Sequence, residues 1–414
     1  MRGKRTALPP PAAAAAPPAA TDHMASLCDR SLAAVLLRLP SPSTLARAAA
    51  VCRRWRRVAS SPAFLRLFRR LHPPPLLGFF VCNDGLIVER VNGVLVAIRR
   101  LGSSPAPSAA ASTSRSLDSL PDVERWALAD TRDGLLLLCA SFSGHDRLDI
   151  PRHFVVCDPV TGRSALVRGA PLFEIDRESS YLGAALLLTD GDAGGRLSFE
   201  VLVVTYFMWG PRLLVFSSCS GAWTVHPYAK VGGRFVWPML GSVGYDMHAN
   251  GCVYWLIDDY QETSDYLLVL DTRTKAFSTI KLPSGMRTRY EGNMRVVRTD
   301  NGELRMVAVA GLVLDFWRLD RSRSSRGRWV REAGRELAYA NCAMALFVDR
   351  ADGSWTKIMD AGEGFVFLKH FGSPWVFVLD LDAMVLMRLP HRKYYFGPAL
   401  PYKMALQPPF PVLD

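Results

Sequence analysis

Two stretches of the chain follow different hydrophobic periods. Between residues 27 and 71 the apolar positions recur at helical spacing. Leu32, Val35, Leu36 and Leu39 fall at i, i+3, i+4 and i+7 and draw one stripe along a helix, with Asp29 placed to cap its start. Pro40 and Pro42 are expected to end that helix. A second helical stretch runs through Leu45, Ala49 and Cys52, and a third puts Val51, Trp55 and Val58 on one face. Ser61 followed by Pro62 opens a further helix, serine as cap and proline at the first position, ahead of a stripe of Phe64, Leu67, Phe68 and Leu71. Pro73, Pro74 and Pro75 stop it. Three or four helices of about ten residues make a very small core, which gains by packing on a partner.

From Leu76 onward the pattern changes to strands and turns. Apolar runs occur at Gly85–Val91, Leu213–Phe216, Cys252–Ile257, Leu267–Leu270 and Trp375–Leu379. The most apolar run, Val201 to Trp209, follows Glu200 and is too short to span a bilayer, so it predicts a buried strand. Asn-Gly or Asp-Gly pairs, which supply the positive φ of tight hairpins, begin at Asp84, Asp133, Asp190, Asn250, Asn301 and Asp352, spaced 49 to 60 residues apart. A second element recurs out of phase with them: an apolar run, a polar turn and often an aromatic. It is seen at Val155–Gly162, Leu214–Trp223, Leu268–Phe277 and Phe377–Met384. Self-similarity at this period predicts propeller blades, six of them over the stretch from Leu76 to the last residue, although a pair of β-sandwiches could give similar spacing. The predicted class is therefore an α + β multidomain chain: a disordered Ala/Pro-rich tail at 1–24, a small N-terminal helical domain at 27–71, and an all-β, six-bladed propeller-like domain at 76–414. A Ser/Ala/Pro-rich insert at 102–120 is expected to be a flexible loop, and the arginine-rich stretch Arg318 to Arg331 an exposed basic loop.

Charge sharpens the division. Of 50 basic residues, ten arginines lie within 30–83, where no acidic residue falls, while basic and acidic groups nearly cancel elsewhere. The partner of that short segment is expected to be acidic. The eight cysteines are scattered without a C-x-x-C pair, which argues against a zinc site or a disulfide scaffold and for a reducing compartment, cytoplasmic or nuclear. No secretory core follows the basic start, a transit peptide would carry more serine, and Met24 could serve as an alternative start. H-E-x-x-H, G-x-S-x-G and Walker patterns are missing, and the eight histidines show no ligand spacing, so neither catalytic residues, nor a metal, nor a cofactor is expected. The acidic turn at Asp190 has Val201 at the twelfth position of a calcium loop, where glutamate is required. Arg53, Arg54, Arg56 and Arg57 flank Trp55 as in some nucleic-acid binders. Trp55 shares an apolar face with Val58, however, and is expected in a core, so no nucleic acid and no membrane is expected as partner.

The segment from Leu27 to Phe64 resembles the F-box family. Leu27, Leu32, Leu36, Leu39, Pro40, Leu45, Val51, Cys52, Trp55 and Phe64 match its pattern in order and spacing, and Cys28 departs from it, since the family usually has proline there. Val155 to Gly162 is also similar to the Asn-Pro-x-Thr turn of F-box-associated propeller-like regions, with Asp158 in place of asparagine. The arginine- and alanine-rich style resembles plant, especially grass, members. The resemblance implies a non-catalytic substrate-recognition subunit of an SCF-type cullin–RING ubiquitin ligase. Its F-box would dock a Skp-type adaptor, and through it a cullin, while the β domain binds a protein substrate. Leu27, Leu32, Leu36, Leu39, Pro40, Leu45, Val51 and Cys52 are the expected adaptor-binding residues, and Trp55, Val58 and Phe64 the expected F-box core. The alternative is a propeller scaffold without ligase coupling. Trp209, Trp237, Tyr245 and Tyr260 lie near turns and are candidates for exposure, although core packing is the usual fate of such residues.

Overall fold

The computed structural model describes residues 27–72, 76–81, 94–97, 125–141, 151, 153–159, 163–169, 179–189, 198–207, 209–231, 246–257, 265–290, 293–297, 303–311, 313–322, 327–332, 334–336, 356–362, 364–370, 376–381, 383–388 and 399–403. The tail at 1–24, the insert at 102–120, the run Gly85–Val91, the turns at Asp84, Asp190, Asn301 and Asp352, and Trp237, Tyr245 and Tyr260 all lie outside these residues. The chain divides into two compact units, Met1–Pro73 and Pro74–Asp414. Among the described residues no helix is long and apolar enough to cross a membrane.

Among the described residues the first unit has four helices, α1 (Asp29–Leu36), α2 (Pro42–Ala49), α3 (Arg53–Ala59) and α4 (Pro62–Leu71). Three sequence expectations are corrected. Asp29 is not the cap of α1; Cys28 is, its Sγ accepting the Ser31 N–H at 3.4 Å, because the Asp29 carboxylate is drawn to Arg54 and Arg57. Pro42 opens α2 at its first turn instead of closing α1, behind a Ser41–Thr44 capping box. Val51 and Cys52 belong to no shared helical face, because α2 stops at Ala49 and Cys52 caps α3. Ser61 caps α4 with Pro62 at its first position, as expected.

The second unit is a ring of antiparallel meanders. Blade 1 is β3 (Arg125–Arg132), β4 (Leu135–Ser141), β5 (His153–Asp158) and β6 (Arg163–Arg168). Blade 2 is β7 (Ser180–Thr189), β8 (Ser198–Phe207), β9 (Gly210–Ser217) and β10 (Ala222–Val225). Blade 3 is β11 (Met247–Ala249), β12 (Cys252–Ile257), β13 (Tyr266–Asp271) and β14 (Ala276–Lys281), followed by the short helix α5 (Met286–Tyr290). Blade 4 is β15 (Met294–Val297), β16 (Arg305–Ala310), β17 (Val313–Asp320) and β18 (Arg328–Arg331), with β19 (Arg335–Glu336) added beside β17. Blade 5 is β20 (Thr356–Gly362), β21 (Phe365–His370), β22 (Val376–Asp380) and β23 (Val385–Arg388). The expected six-blade count is corrected to five. The remaining strands, β1 (Leu76–Val81), β2 (Val94–Ala97) and β24 (Ala399–Lys403), form a three-stranded sheet in which the last strand pairs with the first. The first and last strands of the unit are thus held in one sheet.

The two sequence periods now have a structural meaning. Asp133-Gly134 and Asn250-Gly251 join the first and second strands of blades 1 and 3 with positive φ at both central residues, the turn whose twist suits a hairpin. The out-of-phase element is the hairpin between third and fourth strands in blades 1, 2, 3 and 5. The stretch Arg318 to Arg331 is likewise a hairpin, with β17 and β18 at its ends. Middle strands such as β8, β12, β13, β21 and β22 are covered on both faces and read as continuous apolar runs. Outer strands such as β6, β10 and β14 alternate exposed with covered positions.

The core lies between blades. Leu137, Phe154, Val201 and Phe216 fill the layer between blades 1 and 2, and Leu202, Val204, Trp255 and Leu268 that between blades 2 and 3. Indole N–H groups staple the same joints. Trp223 Nε1 donates to the Arg168 carbonyl at 2.9 Å, Trp255 Nε1 to Leu182 at 3.1 Å and Trp329 Nε1 to Lys281 at 3.0 Å, each reaching back one blade. The aromatic after the turn, noticed in the repeat as Trp223, is therefore one of these staples.

Candidate functional site

In the helical unit the interior is closed by Leu32, Leu36, Leu45, Val58, Ala59, Phe64 and Phe68. Phe68 stacks on Phe64 with ring centroids 6.0 Å apart and lies 4.3 Å from the ring of His72. His72 Nε2 reaches the Leu37 carbonyl at 2.7 Å, which ties the end of α4 to the end of α1. Across the unit, Arg54 Nε donates to Asp29 Oδ1 at 2.9 Å and Arg57 to Oδ2 at 3.1 Å, and Arg54 also donates to the Leu27 carbonyl. The hydrogen bond from Arg54 holds the Asp29 carboxyl below its ordinary range, with Arg57 adding to the effect.

The interior does not absorb all the apolar side chains. Val35 (44% exposed), Val51 (67%), Leu67 (44%) and Leu71 (56%) face outward. On α4 the predicted stripe is split: Phe64 and Phe68 go inward, whereas Leu67 and Leu71, one turn apart, stay outside. Of the residues expected to bind an adaptor, Leu32, Leu36 and Leu45 are interior, Leu27 and Leu39 half-buried, and Pro40, Val51 and Cys52 exposed. Of the expected core, Val58 and Phe64 are buried and Trp55 is half-buried. Arg30, Arg47, Arg53, Arg56, Arg66 and Arg70 put exposed positive charge on all four helices. Cys28, the departure from the family pattern, holds φ at −71°, within the range a proline ring imposes.

In the β unit one large aromatic stands out. Trp209, in the β8–β9 turn, is 67% exposed. Its turn is held from behind. Gly210 has φ +116°, and a Cβ there would run into the Ala229 carbonyl oxygen, so only glycine fits. The Ala229 N–H donates to the Pro211 carbonyl at 2.8 Å, Arg212 Nε donates to the His226 carbonyl at 3.1 Å, and the Arg212 guanidinium lies 4.8 Å over the Tyr228 ring. Among the described residues no group of side chains could hold a metal ion.

Residues 29–72 match a family described as F-box-like, and residues 127–410 match the family described as F-box protein AT5G49610-like, beta-propeller. No curated protein matches the chain. Among solved structures, it is similar to a nidogen/laminin complex at 11% identity and a TM-score of 0.34, over 68% of this chain and 86% of that one. It is similar to the Aleuria aurantia lectin at 12% and 0.33, over 67% and 81%. Likeness to TolB from Acinetobacter baumannii, at 9% and 0.29, covers 57% of this chain and about half (48%) of that one. At such scores these likenesses carry no argument. The propeller match spans well over half of the residues and the helical unit in front of it matches separately, so the chain belongs to the F-box proteins with an AT5G49610-like β-propeller.

Proposed function

We propose that the helical unit docks a Skp-type adaptor, and through it a cullin, while the β-propeller holds a protein substrate. The chain would then be a substrate-recognition subunit of an SCF-type ubiquitin ligase. An F-box implies that role in general, and an F-box joined to a propeller fits a non-catalytic subunit. The observation that carries the adaptor reading is the surplus of apolar surface. A unit whose interior is already closed still exposes Val35, Val51, Leu67 and Leu71. Exposed arginines on every helix would steer an acidic partner, adding more to association rate than to affinity. The cysteines, scattered along the chain without a C-x-x-C pair, support a place in the cytosol or nucleus.

Because Val51 lies outside the interior, Val51→Asp separates docking from folding. It is expected to weaken capture of a purified Skp-type adaptor by about tenfold or more while the melting curve stays in place. Full capture by this variant would exclude the exposed apolar surface as the docking face. Co-purification under proteasome inhibition tests the substrate side. Trp209→Ala should leave stability unchanged, since the indole is mostly in water, and should lower substrate recovery by about tenfold. Unchanged recovery would move the substrate surface away from the β8–β9 turn.

A further inference from the structure

The inner ends of the blades carry a cluster of ionisable groups that adaptor docking does not use. In β3 and β20 a bulge precedes an inward-turned aspartate, Asp130 and Asp360, and in β7 the equivalent bulge precedes Gly183. The missing side chain at Gly183 matters. A Cβ there would lie 3.3 Å from the Asp246 carboxylate and 3.1 Å from Trp255 Nε1, so the glycine leaves room for Asp246 to enter. His248, two residues further on, points its Nε2 at Asp246 Oδ2 (3.2 Å) and at Asp130 Oδ1 (3.9 Å). Asp130 Oδ2 also accepts the Leu186 N–H of blade 2 at 2.8 Å. Arg295 of blade 4 donates to the Met294 carbonyl at 2.8 Å and reaches the Met359 carbonyl at 3.5 Å, beside the bulge that precedes Asp360. Asp130, Arg295 and Asp360 are each more than nine-tenths buried. One cluster thus draws on all five blades.

We propose that this cluster is a proton-operated clasp: Asp246 and Asp360, carried by two blades, hold a proton together with His248 while the ring is closed, Asp130 lies beside His248, and withdrawing the proton loosens the ring. The argument is first one of charge. Among the described residues three carboxylates share the field with two permanent cations, Arg132 and Arg295, while Tyr181 on β7 and Cys139 on β4 are neutral. Burial drives the Tyr181 phenol well above its ordinary range and the Cys139 thiol up to about 12. The cluster balances only when a further proton sits on His248 or on a carboxyl, and an unbalanced charge in a buried site is expensive.

The individual groups agree in sign. Burial raises Asp246, and burial raises Asp360 to about 7 against the pull of Arg295. Burial alone would lower His248, but Asp130 and Asp246 outweigh it and raise the imidazole above its ordinary 6.5. Each group therefore binds its proton more tightly folded than unfolded. Stability from the clasp is complete below the ordinary values, 3.8 for the aspartates and 6.5 for the histidine, and is lost as pH rises from there, up to about 7 for Asp360 and above 6.5 for His248. His370 and Lys369, both lowered by burial, have the opposite sign, so the comparison must be made between variants that share them.

Asp360→Asn supplies the neutral form of the carboxyl permanently. In thermal unfolding of the full chain, the melting point of the variant should lie about 3–5 °C further above wild type at pH 8 than at pH 5.5, and the gap should close as pH falls towards 4. A variant that melts below wild type at pH 8, or differs from it equally at both pH values, overturns the clasp. If Asp360→Asn does not fold, wild type unfolded at pH 7.5 in buffers of different ionisation enthalpy counts protons directly. Net proton release is the expected result, and its absence overturns the proposal. The outcome is independent of whether an adaptor binds.

Discussion

Replacing Phe68 by alanine is expected to unfold the helical unit and abolish adaptor capture, while the β-propeller melts as in wild type. Phe68 is 1% exposed, lies between the rings of Phe64 and His72, and is one of seven buried apolar side chains among the described residues of that unit. Truncating a buried phenylalanine costs about 3–5 kcal/mol. A core this small rarely supplies more than about 3–5 kcal/mol in total. The cost and the reserve are comparable, so loss of folding is the expected outcome instead of a shifted midpoint. Far-ultraviolet circular dichroism and a pull-down with purified adaptor would check it. Retained helix signal with capture within about threefold of wild type would mean that the unit draws its stability from elsewhere. Trp55→Ala should cost less than Phe68→Ala, because the indole is only half-buried.

Asn293→Ala is expected to be the most damaging single polar change in the propeller. Asn293 Nδ2 donates to the Thr356 carbonyl at 2.6 Å and to the Val309 carbonyl at 3.3 Å, and its Oδ1 accepts the Ile358 N–H at 2.6 Å. One side chain thereby joins blade 4 to the first strand of blade 5. Alanine would remove these bonds to backbone groups, at a cost of about 1–3 kcal/mol each. A total near 3 kcal/mol corresponds to a melting point lower by roughly 5–10 °C in a domain of this size. Asn293→Asp keeps the acceptor and loses both donors, so it should fall between. An alanine variant that melts within about 1 °C of wild type would show that water replaces the staple at little cost.

Much of the architecture was legible along the chain, and the parts that were not share a cause. Leu32, Leu36, Phe64 and Phe68 were readable because a helix in contact with one core repeats its apolar residues at one period. Val51 was misplaced because a spacing rule runs on through a helix junction, and a cysteine at the cap, where Cys52 stands, is a weak stop signal. In the propeller, β12, β13 and β22 were visible because neighbouring blades cover both their faces. Outer strands such as β6 and β14 carry arginine, serine and lysine in short alternation and merge with the turns around them. The sixth blade was miscounted because a turn period counts repeats but not whether the first and last strands share a sheet, as β1 and β24 do.

By itself the sequence determined the order of the parts: an arginine-rich F-box, then repeated antiparallel hairpins, since both arise from contacts between near neighbours. The tertiary structure alone decided which surplus apolar residues remain outside the helical core, which asparagine joins blades 4 and 5, and which aspartates meet at the ring's inner end. No motif or hydrophobic period along the chain marks Asp130 or Asp360. Ring closure brings them into one charged cluster with His248, because residues more than 200 positions apart can share a field only after the whole chain has folded.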